Sequence, residues 1–108
     1  MKLSQLLDRD GFTLMNAVGD RDVTGGICGD LLSWVMARGK RGMAWVTVQT
    51  HMNVVAVASL HEFSCVILAD GCVMDEEALR KAETEGVAIV SAAHPAYAIC
   101  GILHDMGV

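Results

Sequence analysis

Short apolar runs rich in β-branched residues alternate along this chain with stretches whose apolar residues recur at helical spacing, and that alternation limits the fold most. Met1 to Leu7 reads as a short amphipathic helix that stops at Asp8-Arg9-Asp10-Gly11. Thr13 to Val18, bounded by Gly11 and Gly19, reads as a first strand. Cys28, Leu31, Leu32, Val35 and Met36 then follow a helical period up to Gly39, and Met43 to Gln49 reads as a second strand. Val54 to Ala58 has strand propensity, so a hairpin turning at Thr50 to Asn53 is an alternative there. Against it, Asn53 is a good helix N-cap, and Val54, Val57 and Leu60 share one helical face. A parallel crossover needs about a dozen residues, which Thr50 to Phe63 supply, so a helix is expected.

The rest of the chain repeats the pattern. Cys65 to Ala69 reads as a buried strand. Asp75 caps a helix whose first turn carries Glu76 and Glu77, favourable beside the positive end of the helix dipole, and Gly86 ends it. Val87 to Val90 is the fourth strand. Pro95 suits the first turn of a last helix, with Ala96, Ile99, Cys100 and Leu103 inward and Gly107 as its stop. The expectation is an α/β domain spanning residues 1–108: a mainly parallel four-stranded sheet with helices on both faces, preceded by a short N-terminal helix.

Composition narrows the function. A chain of 108 residues is one domain's worth and long enough for a core without disulfide or metal staples. With 53% apolar residues, 19% charged and a single proline it is not a disordered or low-complexity chain. A net charge of -5 argues against a nucleic-acid partner, and the basic knot Arg38, Lys40, Arg41 reads as a solvated helix end. No run is long enough to span a membrane, and Asp8, Arg9 and Asp10 interrupt any secretory signal, so a cytoplasmic location is expected. Cys28, Cys65, Cys72 and Cys100 form no C-x-x-C pair and read as reduced, core-like thiols. The methionines are dispersed and read as core filler, while Trp34 and Trp45 are candidates for a subunit interface.

Ligands of open α/β sheets bind beyond the carboxyl ends of the strands, which selects four loops. In the first, Thr24, Gly25 and Gly26 run toward a helix expected at Cys28 to Asp30. Glycines there admit an anion close to backbone N–H groups; they equally suit a tight turn, and Asp20, Asp22 and Asp30 disfavour the anion. The second loop offers Thr50, His51 and Asn53, the third Asp70-Gly71-Cys72, and the fourth Ser91 and His94. His51 and His94 are candidates for ligand contact or general base, or else cap helices and bond to backbone. Phosphate-loop, dinucleotide-fold and nucleophile-elbow patterns are absent, and no catalytic residue is expected.

Asp22-Val23-Thr24-Gly25-Gly26, followed by Asp30 to Val35, resembles the DRTGG domain family. The likeness continues through Thr47-Val48-Gln49-Thr50-His51-Met52-Asn53 to Leu60, then to Asp75-Glu76-Glu77 and the closing helix. Val23 stands where the family has arginine, and Arg21 lies just upstream. The resemblance implies an α/β fold like the N-terminal domain of HPr kinase/phosphorylase, without that enzyme's catalytic domain. It also implies a dimeric regulatory module of the kind found with phosphotransacetylase or between CBS domains. The expected function is therefore a non-catalytic homodimeric sensor of a small anionic metabolite, an adenine nucleotide or another phosphate-containing compound. Its contact residues would be Thr24, Gly25, Gly26, Thr50, His51, Asn53, Ser91 and His94. The alternatives are a subunit docking a larger enzyme, redox enzymes included, and a small enzyme using His51 or His94 as base.

Overall fold

The structure, a computed structural model, describes all residues from Met1 to Val108. Its elements run α1 (Leu3–Leu7), β1 (Phe12–Leu14), β2 (Gly25–Cys28), α2 (Leu32–Arg38), β3 (Met43–Thr47), α3 (Met52–Leu60), β4 (Cys65–Leu68), α4 (Glu76–Thr84), β5 (Ala88–Ala92) and α5 (Ala96–Asp105). One five-stranded sheet has the order β1-β5-β4-β3-β2. β2, β3, β4 and β5 pair in parallel, and β1 joins β5 antiparallel with Phe12 opposite Ala92.

The α/β class and the covering of both faces agree with the sequence; the strand count does not. Gly25–Cys28, expected as a glycine turn entering a helix, is the edge strand of the parallel array, so the sheet has five strands rather than four. Two glycines give this segment almost no intrinsic strand preference, and pairing with β3 sets its form. α2 accordingly starts at Leu32, with Cys28 left in the strand. The first expected strand, Thr13 to Val18, is instead Phe12–Leu14, because the chain leaves the sheet at Asn16. The buried Asn16 side chain closes that exit: its Nδ2 donates to the Val87 carbonyl (2.9 Å) and its Oδ1 accepts from the Ile89 N–H (3.0 Å). The hairpin alternative at Thr50–Asn53 is replaced by α3, capped by His51 rather than Asn53.

β2 through β5 are added in sequence order across the sheet, so crossovers of one hand place α2, α3 and α4 on the same face. There Trp45, wholly buried, meets Phe63 edge-on at 5.9 Å among Val35, Val54, Val66 and Ile89. α1 and α5 cover the opposite face, where Leu3, Leu6, Ile99 and Leu103 pack on Ala44, Val46, Ile67 and Val90. Trp34 lies exposed on α2, beneath the Arg38 guanidinium. No helix is long and apolar enough to cross a membrane.

Candidate functional site

At the carboxyl ends of the parallel strands several polar side chains are bonded to the chain itself. The Asp30 carboxylate, just beyond β2, accepts from the Thr47 hydroxyl (2.7 Å) and the Val48 N–H (3.0 Å). Gln49 donates from its side chain to the Asp30 carbonyl (3.2 Å), and the Trp45 indole donates to the Gly29 carbonyl (2.8 Å). His51 Nδ1 accepts from the Asn53 N–H at 3.0 Å, which leaves the proton of a neutral ring on Nε2. Ser91 donates to the Cys72 carbonyl (2.9 Å). His94 Nε2 bonds the Asp10 carbonyl (2.9 Å), and its ring lies 5.3 Å from that of Phe12. Gly11, at φ +87°, leaves room for that ring, which any Cβ at the position would strike. Of the expected contact residues Thr50, His51, Asn53, Ser91 and His94 stand at this end, and none lines a depression.

Thr24, Gly25 and Gly26 stand at the other end. Gly25 begins β2 opposite Met43 at the start of β3, so these residues lie at the amino ends of the strands, a strand length from His51. This corrects the single crest drawn from the sequence: the chain passes Thr24 before entering β2 rather than after leaving a strand. The Thr24 N–H donates to the Gly42 carbonyl at 2.9 Å. Gly42, at φ +82°, packs so closely on Thr24 Oγ1 that a side chain there would collide.

Two adjoining polar cavities of about 410 Å³ each open beside Thr24. They share Arg41, Glu62 and Ser64; Asp22, Thr24 and Gly42 wall one, and Arg21, Ser59 and Glu85 the other. Each acid already has a cation. Lys2 lies 3.1 Å from Asp22, Arg41 Nε 3.4 Å from Glu62, and Lys81 3.0 Å from Glu85. Lys81, by hydrogen bond and charge, and then the Ser59 hydroxyl hold the Glu85 carboxyl below its ordinary range. Arg21 makes no ion pair. Its Nε donates to the Gly19 carbonyl (3.0 Å) and its Nη1 to those of Gly86 (2.5 Å) and Ser64 (3.4 Å), which leaves Nη2 uncommitted. Arg41 likewise keeps both terminal nitrogens free. Behind Arg21 the wholly buried Cys65 thiol is pushed up to about 12 by desolvation, with Arg21 pulling weakly the other way, so it is an inert thiol.

Sequence reasoning missed this arrangement. In the sequence Arg41 belongs to a basic knot that reads as a solvated helix end, and the one signal at Arg21 is its place beside the Asp22–Gly26 segment. No group of three His, Cys, Asp or Glu side chains is gathered as a metal ion would need.

No protein-family model matches the chain, and no curated protein matches it in sequence. Among solved structures, it is similar to the regulatory region, CBS and DRTGG domains, of Clostridium perfringens pyrophosphatase, complexed with its activator diadenosine tetraphosphate. The TM-score is 0.58 at 11% identity, over 68% of this chain and 32% of that one, so this chain spans about a third of that structure. At that identity the likeness is one of fold. The α/β domain described above thus shares its fold with part of that regulatory region.

Proposed function

We propose that this chain is a non-catalytic regulatory module of the DRTGG type, working in the cytoplasm as a homodimer and sensing an adenine nucleotide or another phosphate-containing metabolite. The observation that carries this reading is the pair of polar cavities beside Thr24, where Arg21 Nη2 and the terminal nitrogens of Arg41 hold no partner. A guanidinium presents a planar fork that matches phosphate oxygens two at a time. Because Asp22, Glu62 and Glu85 are each already paired, an incoming anion meets the arginines rather than bare carboxylates. On this reading the ligand site is at the amino ends of the strands, with Thr24 in its wall, rather than among His51, Asn53, Ser91 and His94. The related fold of a regulatory region that takes diadenosine tetraphosphate supports a nucleotide as the first ligand to try.

Thermal shift with ATP and with diadenosine tetraphosphate tests the site. The wild type is expected to gain melting temperature with the nucleotide. Arg41→Ala, at an exposed position, should lose about tenfold or more in affinity, the worth of one charge-assisted bond, while His51→Ala and His94→Ala keep it. Absence of binding by the wild type, or a loss confined to the histidine variants, overturns this assignment. The homodimer is supported by the outer side of β2, a free edge without a single charge from Gly25 to Cys28. A concentration-independent monomer mass in sedimentation refutes it.

A second reading rests on a different surface. Leu31, Trp34 and Val48 are exposed around Asp30, at the far end from the arginines, and suit docking of a larger enzyme. Leu31→Ser with Trp34→Ser should then abolish co-purification with that enzyme while nucleotide binding is kept.

A further inference from the structure

We propose that Cys28 and Cys100 form a reversible disulfide that clasps the free edge strand β2 to helix α5. The two thiols come from opposite ends of the chain, yet both line one groove of about 200 Å³ between that strand and that helix. On the face covered by α5, Gly26 and Cys28 point the same way along β2, two residues apart. Cys100 and His104 recur one helical turn apart in the same groove, and Val108 follows just beyond α5. Val108 comes within 3.8 Å of where a Cβ on Gly26 would stand, so the end of the chain closes the groove beside Gly26. Gly26 has no side chain to fill the groove, so Cys28 is open to solvent while Cys100 is half-buried beside it.

The remaining cysteines lack this arrangement. Cys65 is sealed in the core, and Cys72, beyond β4, packs on the opposite face of the sheet from Cys100. Burial, and then the Cys100 thiol as hydrogen-bond partner, push Cys28 up to about 11. Cys28 is accordingly protonated at neutral pH and exchanges slowly, which suits a response to sustained oxidation.

The oxidant is a low-molecular-weight disulfide. The Cys28 thiolate attacks one of its sulfurs, that S–S bond breaks, and the first small thiolate leaves. Cys100, as thiolate, then attacks Cys28 Sγ and expels the second. The two protons given up by the cysteines end on the two departing thiols, so the chain dithiol is oxidised as the small disulfide is reduced. The clasp fills the groove and fixes α5 on the edge; reduction reopens it.

Treatment of the reduced, full-length protein with oxidised glutathione tests this. The expected product has lost the mass of two hydrogens, yields a Cys28–Cys100 linked peptide, and keeps Cys65 and Cys72 free. Because the bond joins residues separated by most of the chain, the melting temperature should rise by roughly 5 °C or more and fall back with dithiothreitol. Cys100→Ser should stop at a glutathione adduct on Cys28, and Cys28→Ser should form neither the adduct nor the link. A link through Cys72, a wild type that stops at the same adduct as Cys100→Ser, or a crosslink that lowers the melting temperature overturns the proposal.

Discussion

The two ends of the parallel sheet use polar residues in opposite ways. At the carboxyl ends, Asp30, Thr47, Ser91 and His94 bond to neighbouring backbone or to one another, His51 caps α3, and none of them lines a cavity. At the amino ends the acids are paired off, and two arginines keep unspent donors toward a pair of cavities. A polar residue in a loop beyond a strand thus need not face a cavity. What distinguishes the two ends is whether unspent donors face a cavity, as those of Arg21 and Arg41 do.

Substitutions sharpen that contrast. Asp30→Ala should have the largest effect on stability, because it strips the Thr47 hydroxyl, 1% exposed, and the Val48 N–H of their acceptor. A loss of about 2 kcal/mol in urea unfolding is expected, with nucleotide binding unchanged; lost binding at full stability would restore a ligand role to the carboxyl end. Arg21→Ala should cost about 1–2 kcal/mol through its carbonyl bonds and, unlike Asp30→Ala, weaken nucleotide binding as well. Calorimetric titration beside the same unfolding experiment separates the two effects. His94→Ala, which loses one backbone bond and its packing on Phe12, should cost about 0.5–1 kcal/mol and leave binding alone.

The smallest effect concerns pH. The Asp20 carboxyl is held below its ordinary value of 3.8, first by the Ser4 N–H and then by the Ser4 hydroxyl. A lowered folded value means that its contribution is fully present above about pH 4 and is lost as pH falls through the lower folded value. Asp20→Asn should flatten only that acid limb of the stability curve, as followed by circular dichroism. A change at neutral pH in its shape would contradict the assignment.

Much of the architecture was written in local pattern. Asp75 caps α4 through the Ala78 N–H at 2.8 Å as its position before Glu76 and Glu77 implied, and α3 runs over Val54, Val57 and Leu60. β2 was hidden because Gly25 and Gly26 carry no apolar period, so only the ladder to β3 makes them a strand. The antiparallel sense of β1 was equally hidden, since it depends on a partner near the other end of the chain. The cavities were illegible for a related reason. Arg21, Arg41 and Ser64 come from three separate connections, and no spacing in the sequence marks their meeting.

The strand order also carries a consequence for how the protein is made. β2, β3, β4 and β5 can be laid down one beside the next as they leave the ribosome, each on a neighbour already present. β1 is synthesised before them all, but its only partner is β5, the last. Phe12 and Leu14 therefore wait unpaired through the synthesis of nearly the whole sheet, so the oldest strand of the chain is among the last to be buried.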